Sequence, residues 1–277
     1  MIATRLVAID LDGTLIGPDL VVSDADGDAI KRATQEGIEV CIATGRLFSA
    51  GRPFAEALGL SGFLIPLNGA AVFDVPGRRM VRAVPLDVDT ARVALDLLRE
   101  KNFRVQLSFS DHLYLDGRDE RTDEYLRMSR VEPIMVPDLR ALLGERTPPE
   151  PGPMKVLGIG TEAEVLAQVR ELGARLGSKA NVFRSLRQYI EVTDPGANKA
   201  TALAWVAAQR GLNAANVAAI GDSDNDAPML AWAGRSYAVA NATPLAREAA
   251  RRVVGAQGSG VAEALADLLA GAAYERA

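Results

Sequence analysis

The chain has 277 residues, 48% of them hydrophobic, enough to bury a large core in one big domain or two smaller ones. A formal net charge of -5, with no block of Lys or Arg, argues against duplex nucleic acid as a partner, because such binders carry a basic face. Its one cysteine, Cys41, cannot close an internal disulfide, and no apolar run approaches the ~20 residues needed to cross a bilayer, so a soluble cytoplasmic protein is expected.

The first predicted element is an apolar strand, Leu6-Val7-Ala8-Ile9, that runs out in Asp10-Leu11-Asp12-Gly13-Thr14. Residues i and i+2 of a strand point the same way, so Asp10 and Asp12 can approach one spot, and Gly13 lets the backbone turn sharply after them. A helix is predicted over Asp24–Gln35, capped by Ser23 and stopped by Gly37. Strands follow over residues 38–43, with Cys41 as a small buried hydrophobe, and over residues 63–67. The first of these ends in Ala43-Thr44-Gly45-Arg46, where a helix could begin. A hydroxyl, a glycine and free N–H groups at that point make a phosphate cradle; an ordinary strand-to-helix turn capped by Thr44 is the plain alternative. Asn68 stands just beyond the second strand.

From about residue 83 to residue 191 the pattern changes. Helices are predicted over residues 90–101 and 162–176, among strands of mixed polarity over 103–108, 112–115, 154–160 and 188–192. The alternation Tyr189-Ile190-Glu191-Val192 suits a sheet with one wet face. The Pro-rich stretch 147–153 reads as a loop. This region is expected to be an antiparallel α+β insertion. Phe109, Tyr114 and Tyr125 fall within it, with packing as the expected role and a place in a substrate pocket open to one of them. The single histidine, His112, also falls there, which excludes a histidine-rich zinc or di-iron site.

Beyond the insertion, Lys199 opens a helical pattern that runs to about residue 209. A lysine near a helix start opposes the macrodipole unless an anion compensates. Strands are predicted over 217–220 and 236–240. The first ends in Gly221-Asp222-Ser223-Asp224-Asn225-Asp226. A calcium loop would need Gly at its sixth position and Glu at its twelfth, where Ala227 and Ala233 stand. Short apolar runs alternating with helices at both ends of the chain predict an α/β fold with a parallel sheet covered on both faces. Asp10, Asp12, Thr44, Asn68 and Asp222 would then meet beyond the carboxyl ends of the strands, where such sheets bind ligands. Oxygen ligands without His or Cys favour a hard cation, most simply Mg2+.

Asp10-Leu11-Asp12-Gly13-Thr14, Thr44-Gly45-Arg46, Lys199 and Gly221-Asp222-Ser223-Asp224-Asn225-Asp226 resemble, in order, the four motifs of the haloacid dehalogenase-like hydrolases. Asn68-Gly69-Ala70, Val239-Ala240-Asn241-Ala242 and Gly260-Val261-Ala262 are similar to the Cof-type subgroup, and the likeness spans nearly the whole chain. Ala200 and Ala240 stand where the family often has glycine. The resemblance implies a Rossmann-like core from residues 1–82 and 191–277, with residues 83–190 inserted as a C2-type α/β cap. It implies an Mg2+-dependent phosphatase acting on small phosphate monoesters, sugar phosphates first among them. Asp10 would be the nucleophile and Asp12 the general acid and base. Mg2+ would sit on the Asp10 and Asp222 side chains and the backbone carbonyl of Asp12. Thr44, Gly45, Lys199 and Asn225 would bind the phosphoryl oxygens, Asp226 would orient its neighbours, and Arg46 and Asn68 would touch the substrate or the groups around it. The alternatives are a sugar phosphomutase using the same two aspartates and a phospholigand-binding protein without turnover. Oligomeric state is not readable from the sequence.

Overall fold

The computed structural model describes residues 4–144 and 152–276. Of the Pro-rich stretch 147–153, residues 147–151 lie outside the described residues. The chain opens with β1 (Leu6–Asp10), α1 (Asp24–Gln35), β2 (Glu39–Ala43), α2 (Phe48–Ala57), β3 (Phe63–Ile65) and the hairpin β4 (Ala71–Asp74) and β5 (Arg79–Ala83). Next come α3 (Val88–Glu100), β6 (Arg104–Phe109), β7 (His112–Leu115), α4 (Glu120–Ser129), β8 (Ile134–Met135), β9 (Lys155–Ile159), α5 (Glu162–Leu176), β10 (Asn181–Leu186) and β11 (Tyr189–Thr193). It ends with α6 (Lys199–Gln209), β12 (Val217–Gly221), α7 (Ala227–Trp232), β13 (Arg235–Val239), α8 (Pro244–Ala249), β14 (Arg252–Val254) and α9 (Gly260–Arg276).

Among the described residues, the first and last groups of strands share one eight-stranded sheet in the order β14-β13-β12-β1-β2-β3-β4-β5. It is parallel from β14 to β3, and β4 and β5 extend it antiparallel. Every residue of β1 and of β12 is buried, which requires cover on both faces. Helix α1 packs on α9, and α6 on α7. The apolar core gathers Ile9, Ile42, Leu64, Ile220 and Leu265, among others. This is the predicted α/β class. Among the described residues, no helix is long and apolar enough to cross a membrane.

The middle strands form a second sheet in the order β10-β11-β9-β6-β7-β8, antiparallel except for β7 and β8. Val105, Leu107 and Phe109 of β6, Val156 of β9, and Ile190 and Val192 of β11 pack with α3 and α5 in one apolar cluster. Strand alternation sends Gln106, Ser108, Lys155, Tyr189 and Glu191 to the opposite face. That face is not wet, as the sequence pattern suggested: all five are buried. It is turned towards the first sheet, where Lys155 Nζ donates to the Gly45 carbonyl at 3.0 Å.

Local chemistry explains the element ends. Ser23 Oγ accepts from the Asp26 amide at 3.1 Å, and Gly37 follows α1 at φ 85°. The strand predicted over 63–67 is cut short at Ile65, because Leu67 (φ 53°) and Asn68 (φ 55°) turn left-handed in a short 3-10 helix. Asn tolerates that conformation, whereas Leu is strained in it and is held there from its surroundings. The Leu67 amide donates to the Arg46 carbonyl at 2.9 Å and the Asn68 amide to the Thr44 carbonyl at 3.0 Å.

Candidate active site

The ends of β1 and β12 lie side by side, since Ile9 pairs with Ile220. Asp10 therefore meets Asp222 and, across the next turn, Asp226; these three carboxylates each offer an oxygen within 4.8 Å of the others. Lys199, at the start of α6, donates to Asp10 Oδ1 at 2.5 Å and to Asp226 Oδ1 at 2.6 Å, and its side chain is fully buried. These are the anions that offset a lysine at a helix start. Burial alone would lower the pKa of the Lys199 ammonium; Asp10 and Asp226 outweigh it and raise the value. Burial, then Asp226 and Asp222, push the Asp10 carboxyl well above the usual carboxylate range, against the pull of Lys199. Burial and Asp226 also raise that of Asp222.

Each carboxylate oxygen has a different fate. Asp226 Oδ2 accepts from the amides of Asp222 (3.0 Å) and Ser223 (2.9 Å), so this residue shapes its own loop. Asp222 accepts from Thr14 Oγ1 at 2.9 Å and from Ser223 Oγ at 3.0 Å. Asp10 Oδ2 is buried and has no hydrogen-bond partner. Gly13, at φ 89°, carries the chain past Asp222 so closely that a Cβ would lie 2.5 Å from Asp222 Oδ2. Asn241 Nδ2 holds that turn by donating to the Gly13 carbonyl at 2.8 Å.

Asp12 takes another direction. Its two oxygens accept from Arg46 Nε (2.8 Å) and Nη2 (2.6 Å), and its side chain is 43% exposed. It is not in the carboxylate cluster, where Asp226 stands instead; its backbone carbonyl is the group the sequence offered to a cation. Thr44 is fully buried, and its hydroxyl accepts from the Arg46 amide at 3.1 Å, the capped turn weighed as the plain alternative. Gly45, Arg46 and Asn225 line the same cleft as Asp10 and Asp12. Lys199 and Thr44 are not among the residues lining it.

The cleft encloses about 670 Å³, part of it open to solvent, between the two sheets. On its far side the sequence reading missed Lys155 and Glu191. They pair at 2.9 Å, and Glu191 Oε2 also accepts from Asn68 Nδ2 at 2.8 Å. Since a carboxylate only accepts, Glu191 fixes the Asn68 amide, whose Oδ1 then accepts from Asn225 Nδ2 at 2.8 Å. The signals were a lysine inside an apolar strand and the alternation at 189–192.

The sequence model of the haloacid dehalogenase-like hydrolases matches residues 7–265. The chain belongs to that family. It is of the Cof type, as its motifs suggested. The 5-amino-6-(5-phospho-D-ribitylamino)uracil phosphatase of Bacillus subtilis is 30% identical to it over 246 residues, 89% of this chain and 88% of that one. The pyridoxal phosphate phosphatase of Escherichia coli is 28% identical over 258 residues, 91% of this chain and 93% of that one. Among solved structures, a haloacid dehalogenase-like hydrolase from Bacteroides thetaiotaomicron superposes with a TM-score of 0.82 at 25% identity, covering 96% of this chain and 99% of that one. A HAD/Cof-like hydrolase from Plasmodium vivax shares the fold with a TM-score of 0.86 at 24% identity, covering 97% and 96%. The relatives are named as phosphatases, which supports a hydrolase acting on phosphate esters.

Proposed function

We propose that this haloacid dehalogenase-like hydrolase is an Mg2+-dependent phosphatase of small phosphate monoesters, working through an aspartyl-phosphate on Asp10. One observation carries the reading: at the floor of the cleft, Lys199 holds one Asp10 oxygen while the other is buried and unpartnered. Such an oxygen is positioned and poorly solvated, as a nucleophile needs to be. The inserted region, expected over residues 83–190, carries β6 to β11 and so runs on to Thr193; it serves as the cap that closes over the site.

The donor set fits a hard dication. Three clustered carboxylates face one ammonium, and Asp10 keeps an unsatisfied oxygen. Asp10, Asp222 and the Asp12 carbonyl would hold Mg2+, which supplies charge neutralisation between the attacking carboxylate and the phosphoryl group. In the first step an Asp10 oxygen forms a bond to phosphorus as the ester P–O bond breaks, and Asp12 gives its proton to the departing alkoxide. In the second step Asp12 removes a proton from water, the water oxygen bonds to phosphorus, and the Asp10–P bond breaks to release phosphate. Asp12 must first part from Arg46, which is then free to meet the anionic substrate. The Gly45 amide and Asn225 orient the phosphoryl oxygens directly, Thr44 through the Arg46 turn that its hydroxyl caps and Lys199 through Asp10. The relatives' substrates named above are small phosphate monoesters.

The test is phosphate release from a panel of monoesters with Mg2+ or with chelator, for the wild type and Asp10→Asn. Mg2+-dependent release that disappears in Asp10→Asn is expected. Release that survives in the variant overturns the nucleophile, and bisphosphate-dependent isomerisation of a sugar phosphate without net release would replace the hydrolase with a mutase.

A further inference from the structure

Both charges of the buried pair in the second sheet end on the strand-end turns of the first. Lys155 Nζ donates to the Gly45 carbonyl, and Glu191 Oε2, which also faces Lys155, accepts from Asn68 Nδ2 at 2.8 Å. Asn68 is buried, and its flat amide lies against the Gly45 backbone. A Cβ on Gly45 would stand 3.2 Å from Asn68 Oδ1 and 3.3 Å from Nδ2. Packed in this way, the amide has two nearly isosteric orientations, which exchange its donor and acceptor ends.

Glu191 decides between them. A carboxylate only accepts, so the Asn68 NH2 group turns towards Glu191 and the Asn68 oxygen towards Asn225. That oxygen draws the Asn225 NH2 group, at 2.8 Å. One N–H of Asn225 is then engaged by Asn68, and the other remains for the cleft that Asn225 lines. Asn225 Oδ1 meanwhile is buried with no hydrogen-bond partner. Left to itself Asn225 would not choose this orientation, since a buried acceptor without a donor is costly. It is imposed from outside, along the line from Glu191 through Asn68.

We propose that Glu191 is a positioning residue, which acts through Asn68 to present an N–H of Asn225, rather than its carbonyl oxygen, to the phosphoryl group. This rests on the phosphatase reading above, in which Asn225 meets the phosphoryl oxygens. With the Asn68 amide reversed, its NH2 group would draw Asn225 Oδ1 and satisfy that orphan acceptor. The Asn225 oxygen would then stand where its donor now stands, and would repel an anion. Phosphoryl affinity therefore depends on the second sheet lying against the first, although Glu191 itself need not touch phosphate. By reciprocity, bound phosphate holds the two sheets together.

The experiment measures the Kd of inorganic phosphate by calorimetric titration with Mg2+ present, for the wild type, Glu191→Met, Glu191→Gln, Asn225→Ala and Glu191→Met/Asn225→Ala. Glu191→Met offers Asn68 no such acceptor and should weaken phosphate binding about tenfold in the otherwise native chain. In the Asn225→Ala background the same change should cost no more than about twofold. The sign is diagnostic, because removal of a carboxylate would by charge alone tighten the binding of an anion. Glu191→Gln, though less stable, should keep the wild-type affinity within about twofold: Lys155 only donates, and so holds the Gln oxygen where Glu191 Oε2 stood. An equal loss from Glu191→Met in both backgrounds, no loss at all, or a loss as large in Glu191→Gln overturns the proposal and leaves the phosphatase reading intact. If Glu191→Met does not fold, Lys155→Met/Glu191→Met, which strands no buried charge, takes its place in the cycle. Wild type that neither binds phosphate nor releases it from acetyl phosphate overturns both readings; release without measurable phosphate affinity overturns the proposal alone.

Discussion

Lys155 and Glu191 form an ion pair at 2.9 Å, with side chains only 2% and 5% exposed, on the face of the second sheet that looks towards the first. The pair is tied into the core at both ends: Lys155 donates to the Gly45 carbonyl, and Glu191 accepts from Asn68. Removing one member leaves the other charge buried. Lys155→Met or Glu191→Gln alone should therefore destabilise the protein by about 3–5 kcal/mol in urea unfolding. The double variant Lys155→Met/Glu191→Gln should lose less than the sum of the two. Strict additivity would mean that the pair does not act as a unit.

Gly13 is a geometric requirement of the carboxylate cluster. Gly13→Ala places a Cβ against Asp222 Oδ2 in a backbone conformation that Ala resists. The expected result is weakened Mg2+ binding in a calorimetric titration, together with lost phosphatase activity, while the far-UV spectrum is retained. Wild-type Mg2+ affinity in this variant would detach Asp222 from the cation.

The raised pKa values of Asp10 and Asp222 give a pH dependence of definite sign. In the unfolded chain these carboxyls titrate at about 3.9. In the folded, metal-free protein burial and mutual repulsion hold the protons on to higher pH. The folded state binds more protons across that window, so the contribution is complete below about pH 3.9 and is lost as pH rises through the raised values. Lys199 does not alter the sign here, because its raised value lies above the ordinary lysine range. Mg2+ would offset the exposed repulsion, so the increase in Tm on adding Mg2+ should be larger at pH 8 than at pH 5. A larger increase at pH 5 would contradict the assignment of these carboxylates to the cation.

The Arg46–Asp12 pair makes a separable prediction. Arg46 is only 9% exposed, but Asp12 is 43% exposed and the substitution keeps the charge, so Arg46→Lys should change stability by only about 1–2 kcal/mol. Activity should fall more steeply, because Lys cannot reproduce the two-pronged contact with Asp12 or with an arriving phosphate. Thermal unfolding and kcat/KM measured on the same sample separate the two effects.

Sequence patterns were most informative where the chemistry is local. Ser23 and Gly37 bracket α1 as predicted because capping depends on a few neighbouring residues. The motif carboxylates at the ends of β1 and β12 could be placed because a strand followed by clustered Asp has few other meanings. Helix α4 escaped notice because its sequence, ERTDEYLRMS, is mostly polar and buries only Thr122, Leu126 and Ser129. Helix α2 carries Pro53 inside it, and the β4–β5 hairpin completes a sheet that is otherwise parallel. The turn at Leu67–Gly69 and the Lys155–Glu191 pair are tertiary facts. Nothing in Leu67 itself predicts a positive φ, and Glu191 looks like a solvent-facing strand residue until the second sheet is laid against the first.

Asn68 sits at the seam between the two sheets, its side-chain amide spanning Glu191 on one side and Asn225 on the other. Any hinge motion that lifts the second sheet must break the first of these bonds while sparing the second. The protein therefore contains an intrinsic gauge of its own opening: the Asn68 carboxamide NH2 resonances in a 15N-labelled sample. Their exchange rate with water would track the fraction of open molecules, with no probe attached and no substrate bound.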